Sequence, residues 1–411
     1  MTDNSQRAVA AVPKDDRAFS VEPAEARPIP PVVPFEAAKR FYRPELDSLR
    51  FFAFLAVFLF HVVPRDPGKY ARYHFLPHLV VPWICGIGGA GAFGVDLFFA
   101  LSAYLITGLL LREKEVRGHI DVKAFYARRI LRIWPLYFFF IAVAAAIPIW
   151  DHTQKLPWQY VAGYLLLAGN WVYAFRGLPA SVAIPLWSIS IEEQFYLFWP
   201  PILRRITRRN LVYVVMVLLA VANLARIVLI AAHASGAGIE YNTFARIDPI
   251  ALGILAACLL GDRSPSFSPA MRFALVLAAL AACASIGTYG HLNAPQSAAP
   301  VIGTLIGRPL VALAAAAILV ASIGARGPGR ILTFPGFVYL GKISYGLYVY
   351  HMAGVLIAEH ILRNGHGGRH RGAALLGFLL TVAFSAISYR WFESPFLRLK
   401  DRFAVIRSRP V

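Results

Sequence analysis

The sequence predicts an all-α integral membrane protein, a bundle of about ten transmembrane helices with one re-entrant segment. Three observations carry that prediction. Of 411 residues, 58% are hydrophobic and only 15% are charged, a balance too apolar for an ordinary soluble domain. Several apolar stretches reach the roughly 20 residues needed to cross a hydrocarbon core about 30 Å thick. The formal net charge of +19 falls in short clusters beside those stretches, as in the cytoplasmic loops of membrane proteins. It does not form the aromatic-interleaved basic patch of a nucleic-acid-binding surface, so no nucleic-acid partner is expected.

The elements follow in order. Residues 1–40 are polar and Pro-rich without the layout of a cleaved signal peptide, and read as a disordered cytoplasmic tail. The transmembrane domain is expected over 41–397. Its spans lie near 49–63, 94–111, 133–150, 186–203, 211–232, 245–261, 271–290, 303–323, 335–357 and 372–392. Segment 160–175 is apolar but holds Gly163, Gly169 and Asn170. The cluster Arg204, Arg205, Arg208 and Arg209 shares a side with Arg112, Lys114, Arg117, Lys123, Arg128 and Arg129 only if that segment turns back. The expectation is therefore a re-entrant element there, both termini cytoplasmic, and a basic cytoplasmic tail over 398–411. Two loops resist the rule, one with Arg65, Lys69 and Arg72 and one with Arg363, Arg369 and Arg371. No internal repeat suggests an inverted-repeat transporter. Cys85, Cys258 and Cys283 form no CxxC pair, and His74 and His78 lack a third ligand, so neither a disulfide framework nor a metal site is expected.

Ionisable residues inside spans are costly and usually face a bundle interior or a wet cavity. His61 lies in the apolar run Phe51–Val63, eleven residues after Arg50. On a helix the two share a face, about 16 Å apart along the axis. The second span carries Asp96 and Ser102; a serine there most simply bonds a neighbouring helix, while a carboxylate can orient an imidazole or bind a sugar hydroxyl. Arg128, Arg129 and Arg132 begin the third span, and Arg129 and Arg132, three apart, lie on one face and can grip phosphate oxygens. The alternative is a cluster held by lipid headgroups. In the fourth span Glu192 and Glu193 point about 100° apart, so only one can face a narrow seam. Counted from the expected span ends, Glu192 comes close to the depth of His61, where a carboxylate would fix the ring's tautomer. Ser344, Tyr345, Tyr348 and His351 form a polar and aromatic stripe whose usual role is helix packing, with His351 as a lesser candidate for the site. Glu393 reads as architectural.

The order of these motifs resembles the acyltransferase 3 family of integral membrane acyltransferases. The matching pieces are ELDSLR…H from Glu45 to His61, GVDLFFALSAYLIT, FYARRILRIWPLY, PLWSISIEEQFYLFWP, ISYGLYVYH and SYRWFESP, which together cover about 40–400. The resemblance implies a bacterial inner-membrane enzyme that moves an acyl group, most commonly acetyl, from cytoplasmic acyl-CoA to a hydroxyl of a sugar or glycan. Acyl-CoA is then a co-substrate, with no permanently bound cofactor, and the partners are acyl-CoA, a carbohydrate or glycosylated acceptor and membrane lipid. The family's Arg-x10-His signature falls on Arg50 and His61, its Arg-x-x-Arg on Arg129 and Arg132, and its WSLxxE glutamate on Glu192, with Ile189 in place of the usual leucine. His61 is expected as general base, Glu192 and Asp96 as its catalytic partners, and Arg50, Arg129 and Arg132 as the acyl-CoA phosphate clamp. Ala103 stands where relatives commonly have Gly. Some relatives add a soluble SGNH-type domain; only 20 residues follow Trp391. The rival reading is a transporter or flippase for a lipid-linked sugar, moving substrate without consuming CoA.

Overall fold

The computed structural model describes residues 42–70, 80–289, 300–325, 327–362 and 372–403. Residues 1–41 and 404–411, with His74, His78, Arg72, Arg363, Arg369 and Arg371, lie outside the described residues. Within them the structure is helical and contains no strand. The helices are α1 (Pro44–Val62), α2 (Val81–Ala90), α3 (Gly94–Arg117), α4 (Val122–Ala146), α5 (Trp158–Leu165), α6 (Gly169–Arg176), α7 (Leu186–Arg205) and α8 (Leu211–Ala231). They continue as α9 (Gly236–Glu240), α10 (Asp248–Leu260), α11 (Pro269–Tyr289), α12 (Arg308–Ser322), α13 (Pro335–Lys342), α14 (Ser344–Ile361), α15 (Ala373–Ile387) and α16 (Ser394–Lys400).

Six helical stretches among the described residues are long and apolar enough to cross a membrane: Val81–Arg117, Val122–Ile149, Arg208–Ala231, Pro269–Tyr289, Gly303–Ser322 and Ala373–Phe403. The protein is multi-pass. Expected spans 49–63, 186–203, 245–261 and 335–357 correspond to α1, α7, α10 and α13–α14, which are not among the six. The physical reason is polarity or length. Helix α1 opens with Glu45, Asp47 and Arg50, α7 carries Glu192, Glu193, Arg204 and Arg205, α10 has 13 residues, α13 has 8, and α14 carries His351, Glu359 and His360 among its tyrosines. Segment 160–175 is two eight-residue helices, α5 and α6, joined through Leu167 at φ 56°. Each is about 12 Å long at 1.5 Å per residue, too short to cross alone.

Local sequence explains how α4 is aimed. Helix α3 ends at Gly118, whose φ of 77° lies in the left-handed region that glycine enters without a steric penalty. Asp121 then caps α4, its side chain accepting from Ala124 N at 2.9 Å. Glu113 ties the turn by accepting from Asp121 N at 2.8 Å, and pairs with Arg128 at 3.1 Å. Arg128 also donates to Phe403 O at 2.7 Å, so the chain stays packed on α4 beyond the expected domain end at 397.

Close backbone approaches fix the neighbours of α1. A Cβ on Gly94 would collide with Ala53 O, and one on Gly341 with Asp47 O, so α3 and α13 rest directly against α1. Between α3 and α10 the glycine sits on the facing helix. A Cβ on Gly253 would meet Ala100 O and come within 2.9 Å of Ala103 Cβ. Ala103 is accommodated because α10 supplies Gly253 opposite it. Around these contacts Phe51, Phe54, Phe58, Phe99, Leu136 and Tyr137 form the buried centre. By contrast, only 17% of the apolar window on α8 and 11% of that on α11 is buried within the protein, which leaves apolar faces suited to lipid.

Candidate active site

Helices α1, α3, α4, α7 and α14 surround a cleft with about 800 Å³ of empty space, its open mouth included. Its polar lining gathers Arg50, Arg129, Arg132 and Glu192 with Ser102, Ser188, Tyr196, Ser344, Tyr345 and Tyr348. Helical spacing accounts for the set: Ser188, Glu192 and Tyr196 follow at i, i+4, i+8 on α7, and Arg129 and Arg132 at i, i+3 on α4. Of the three arginines on α4, Arg128 turns away to Glu113 and Phe403 O, while Arg129 and Arg132 line the cleft.

Arg50 and Arg129 are braced. The Nη1 of Arg50 lies 3.3 Å from Asp47 Oδ1, and Tyr42 donates to the other Asp47 oxygen at 3.1 Å. Arg129 lies over the rings of Tyr196 and Phe125 at 5.2 and 5.4 Å, contacts that orient a guanidinium without using up its N–H donors. Glu192 interacts electrostatically with Arg50 and Arg129 and lines the cleft beside Tyr196. The Tyr196 hydroxyl is 2.5 Å from Ser102 Oγ, the helix-to-helix bond expected of Ser102. Glu193 takes the other direction, as the 100° offset requires. It is buried, and its Oε2 accepts from Trp134 Nε1 at 2.9 Å.

His61 and Asp96 are absent from the lining. His61 Nδ1 lies 2.9 Å from Val57 O and 3.4 Å from His351 Nε2. A carbonyl only accepts, so Nδ1 carries the proton and the lone pair of the neutral ring is on Nε2. The tautomer that sequence reasoning assigned to Glu192 or Asp96 is thus set at Nδ1 by a backbone carbonyl one turn earlier. Tyr348 bridges the two regions: it lines the cleft, and its ring packs on His351 at 5.7 Å.

Asp96 has a different partner. It forms a buried ion pair with Arg246 Nη2 at 3.2 Å, which continues to Glu240 at 3.7 Å and from Glu240 to Arg308. Arg226 pairs with Asp248 beside it. Arg246 also lies 5.8 Å over the Trp187 ring, directly before Ser188 of the cleft. The network links α3 to the segment between α8 and α10. Removing one member of a buried pair leaves an uncompensated charge, at a cost of about 3–5 kcal/mol, whereas replacing both can be neutral. Arg246→Leu should therefore lower the thermal unfolding temperature in detergent more than the double variant Asp96→Leu/Arg246→Leu does. An equal loss in both would mean that the ion pair does not organise this region.

A family model for an acyltransferase domain, Acyl_transf_3, matches residues 43–390, a stretch that contains every residue of the cleft. The chain belongs to the acyltransferase 3 family. Among curated proteins, those similar to this chain include peptidoglycan O-acetyltransferase OatA of Listeria monocytogenes serovar 1/2a. It is 27% identical over 377 residues, covering 87% of this chain and 56% of the relative. O-acetyltransferase OatA of Staphylococcus aureus strain NCTC 8325 is 25% identical over 375 residues, covering 86% of this chain and 57% of the relative. The chain thus spans less than three-fifths of the length of these relatives. No solved structure matches it.

The stripe on α14 reads from sequence as helix packing first, with His351 as a lesser candidate for the site. Ser344, Tyr345 and Tyr348 line the cleft, and His351 meets His61. The available signal was the spacing of Ser344, Tyr348 and His351 on one helix face, which helix packing explains equally well.

Proposed function

We propose that this protein is a membrane O-acyltransferase that moves an acyl group, acetyl in the first instance, from cytoplasmic acyl-CoA to a hydroxyl of a sugar or glycan. The single observation that carries the reading is the convergence of Arg50, Arg129 and Arg132 on one cleft whose wall, Tyr348, leads to a tautomer-fixed histidine. Three guanidiniums suit the phosphates of a CoA ester, since each offers paired charge-assisted hydrogen bonds. Glu192, which interacts with both Arg50 and Arg129, anchors their side chains at the cleft, a positioning role in place of ring orientation. Asp96 acts at a distance, through the Arg246 network behind Trp187.

In the chemical step His61 Nε2 takes the proton of the acceptor hydroxyl as its oxygen attacks the thioester carbonyl carbon. The C–S bond breaks, the ester forms, and the imidazolium returns its proton to the departing thiolate, which leaves as CoA thiol. No acyl-enzyme is required. The topology that fits this path has ten spans, α5–α6 as a re-entrant hairpin, and both termini on the cytoplasmic side of a bacterial inner membrane. It places Arg50, Arg129 and Arg132 toward the acyl-CoA pool.

Membranes containing the protein, supplied with isotope-labelled acetyl-CoA and with peptidoglycan fragments or other candidate glycans, should yield a base-labile labelled ester on the glycan by mass spectrometry. Peptidoglycan is the first acceptor to try because one relative carries it in its name. Passage of a lipid-linked sugar across vesicles without ester formation or CoA release would overturn the reading in favour of a flippase.

A further inference from the structure

His351 is a fully buried titratable group to which the mechanism above gives no part. Its surroundings determine its state. Nδ1 lies 2.7 Å from Tyr348 O, so it carries the proton and the lone pair sits on Nε2. That lone pair faces His61 Nδ1 across 3.4 Å, and His61 Nδ1 is itself protonated because it bonds Val57 O. The two proton assignments agree without any adjustment: each ring is set by its own helix backbone, and the His61 Nδ1–H is shared between a carbonyl and an imidazole. Phe54 and Phe58 close over His351 at ring-centroid distances of 6.0 and 6.5 Å. The carrier helix is tied to the cleft by Tyr348, whose hydroxyl is 2.7 Å from Ser188 Oγ and 3.1 Å from Pro185 O.

We infer that His351 is a positioning residue for acyl transfer, accepting the His61 Nδ1–H and so holding the base ring in its reactive orientation. The inference rests on His61 as the base. When His61 Nε2 takes up the hydroxyl proton, its Nδ1–H becomes a stronger donor and the bond to His351 tightens. His351 receives no proton; the one gained at His61 Nε2 leaves again with the CoA thiol. An apolar side chain of similar volume would satisfy the packing but not the acceptor. Glutamine places an amide oxygen near the position of the imidazole Nε2 and satisfies both.

The test compares His351→Leu, His351→Gln, His61→Ala and the double variant His61→Ala/His351→Leu, each normalised to folded protein, with acetyl-CoA as donor. The expected result is a fall in kcat on the order of 10²-fold for His351→Leu, the scale of a misplaced catalytic group, with KM for acetyl-CoA unchanged. Partial recovery is expected in His351→Gln, and no further loss when His351→Leu is added to His61→Ala. His351→Leu as active as His351→Gln would make the residue mere packing, and a multiplicative loss in the double variant would give it an independent role; either overturns the inference. So does normal transfer by His61→Ala, which in addition removes the base assignment. If His61→Ala is inactive while His351→Leu matches the native protein, only the inference fails.

Discussion

Replacing His61 with alanine is expected to lower kcat for acyl transfer about 10²–10⁴-fold, the range that a positioned general base contributes. KM for acyl-CoA should change little. The reason is geometric. His61 is absent from the lining of the cleft that gathers the arginines, and its ring is fixed at Nδ1 by Val57 O, so the substitution removes a proton acceptor and leaves Arg50, Arg129 and Arg132 in place. A kinetic signature confined to kcat separates a base from a binding residue. Initial rates in membranes at saturating acetyl-CoA provide the check, and near-native turnover by His61→Ala would end the assignment.

The second large effect is expected on the other side of the reaction. Hydrogen bonds to charged groups are worth about 1.5–3 kcal/mol each, so Arg129→Ala/Arg132→Ala should raise KM for acyl-CoA about 100-fold or more, with a smaller change in kcat. Arg128→Ala supplies the contrast, because Arg128 is committed to Glu113 and Phe403 O. It should reduce thermal stability, since Glu113 is buried, without raising KM. Steady-state titration with acetyl-CoA distinguishes the three arginines. A KM shift for Arg128→Ala equal to that of the double variant would show that the cluster acts through bulk charge rather than through placed side chains.

What could be read from the sequence was whatever depends on spacing within one helix. The shared face of Arg129 and Arg132, the opposed directions of Glu192 and Glu193, and the helix that joins Arg50 to His61 follow from 3.6 residues per turn. The family motifs supplied the selection of Arg129 and Arg132 over Arg128. Pairings between distant helices were not legible. Asp96 meets Arg246 across 150 positions and His61 meets His351 across 290. Nothing in the local pattern distinguishes Arg246 from a loop arginine, or His351 from a packing residue. Counting rise from assumed span ends set Glu192 beside His61. That arithmetic treats helices as straight rods that start in two planes, whereas α5–α6 and the α13–α14 break show how irregular the segments are. Glu192 instead interacts with Arg50 and Arg129. The helices with the least clear span signal, α1 and α7, proved to line the cleft, because the polar groups of a site are what weaken that signal.

This chain is proposed to couple thioester cleavage to ester formation on a carbohydrate. The most direct measurement is the release of free CoA thiol by purified protein from acetyl-CoA, followed alongside O-acetyl ester on an added glycan. Thiol and ester are expected to appear one for one, dependent on the glycan and lost in His61→Ala. Glycan-dependent activity with no thiol released, or thiol release that continues unchanged in His61→Ala, would contradict it.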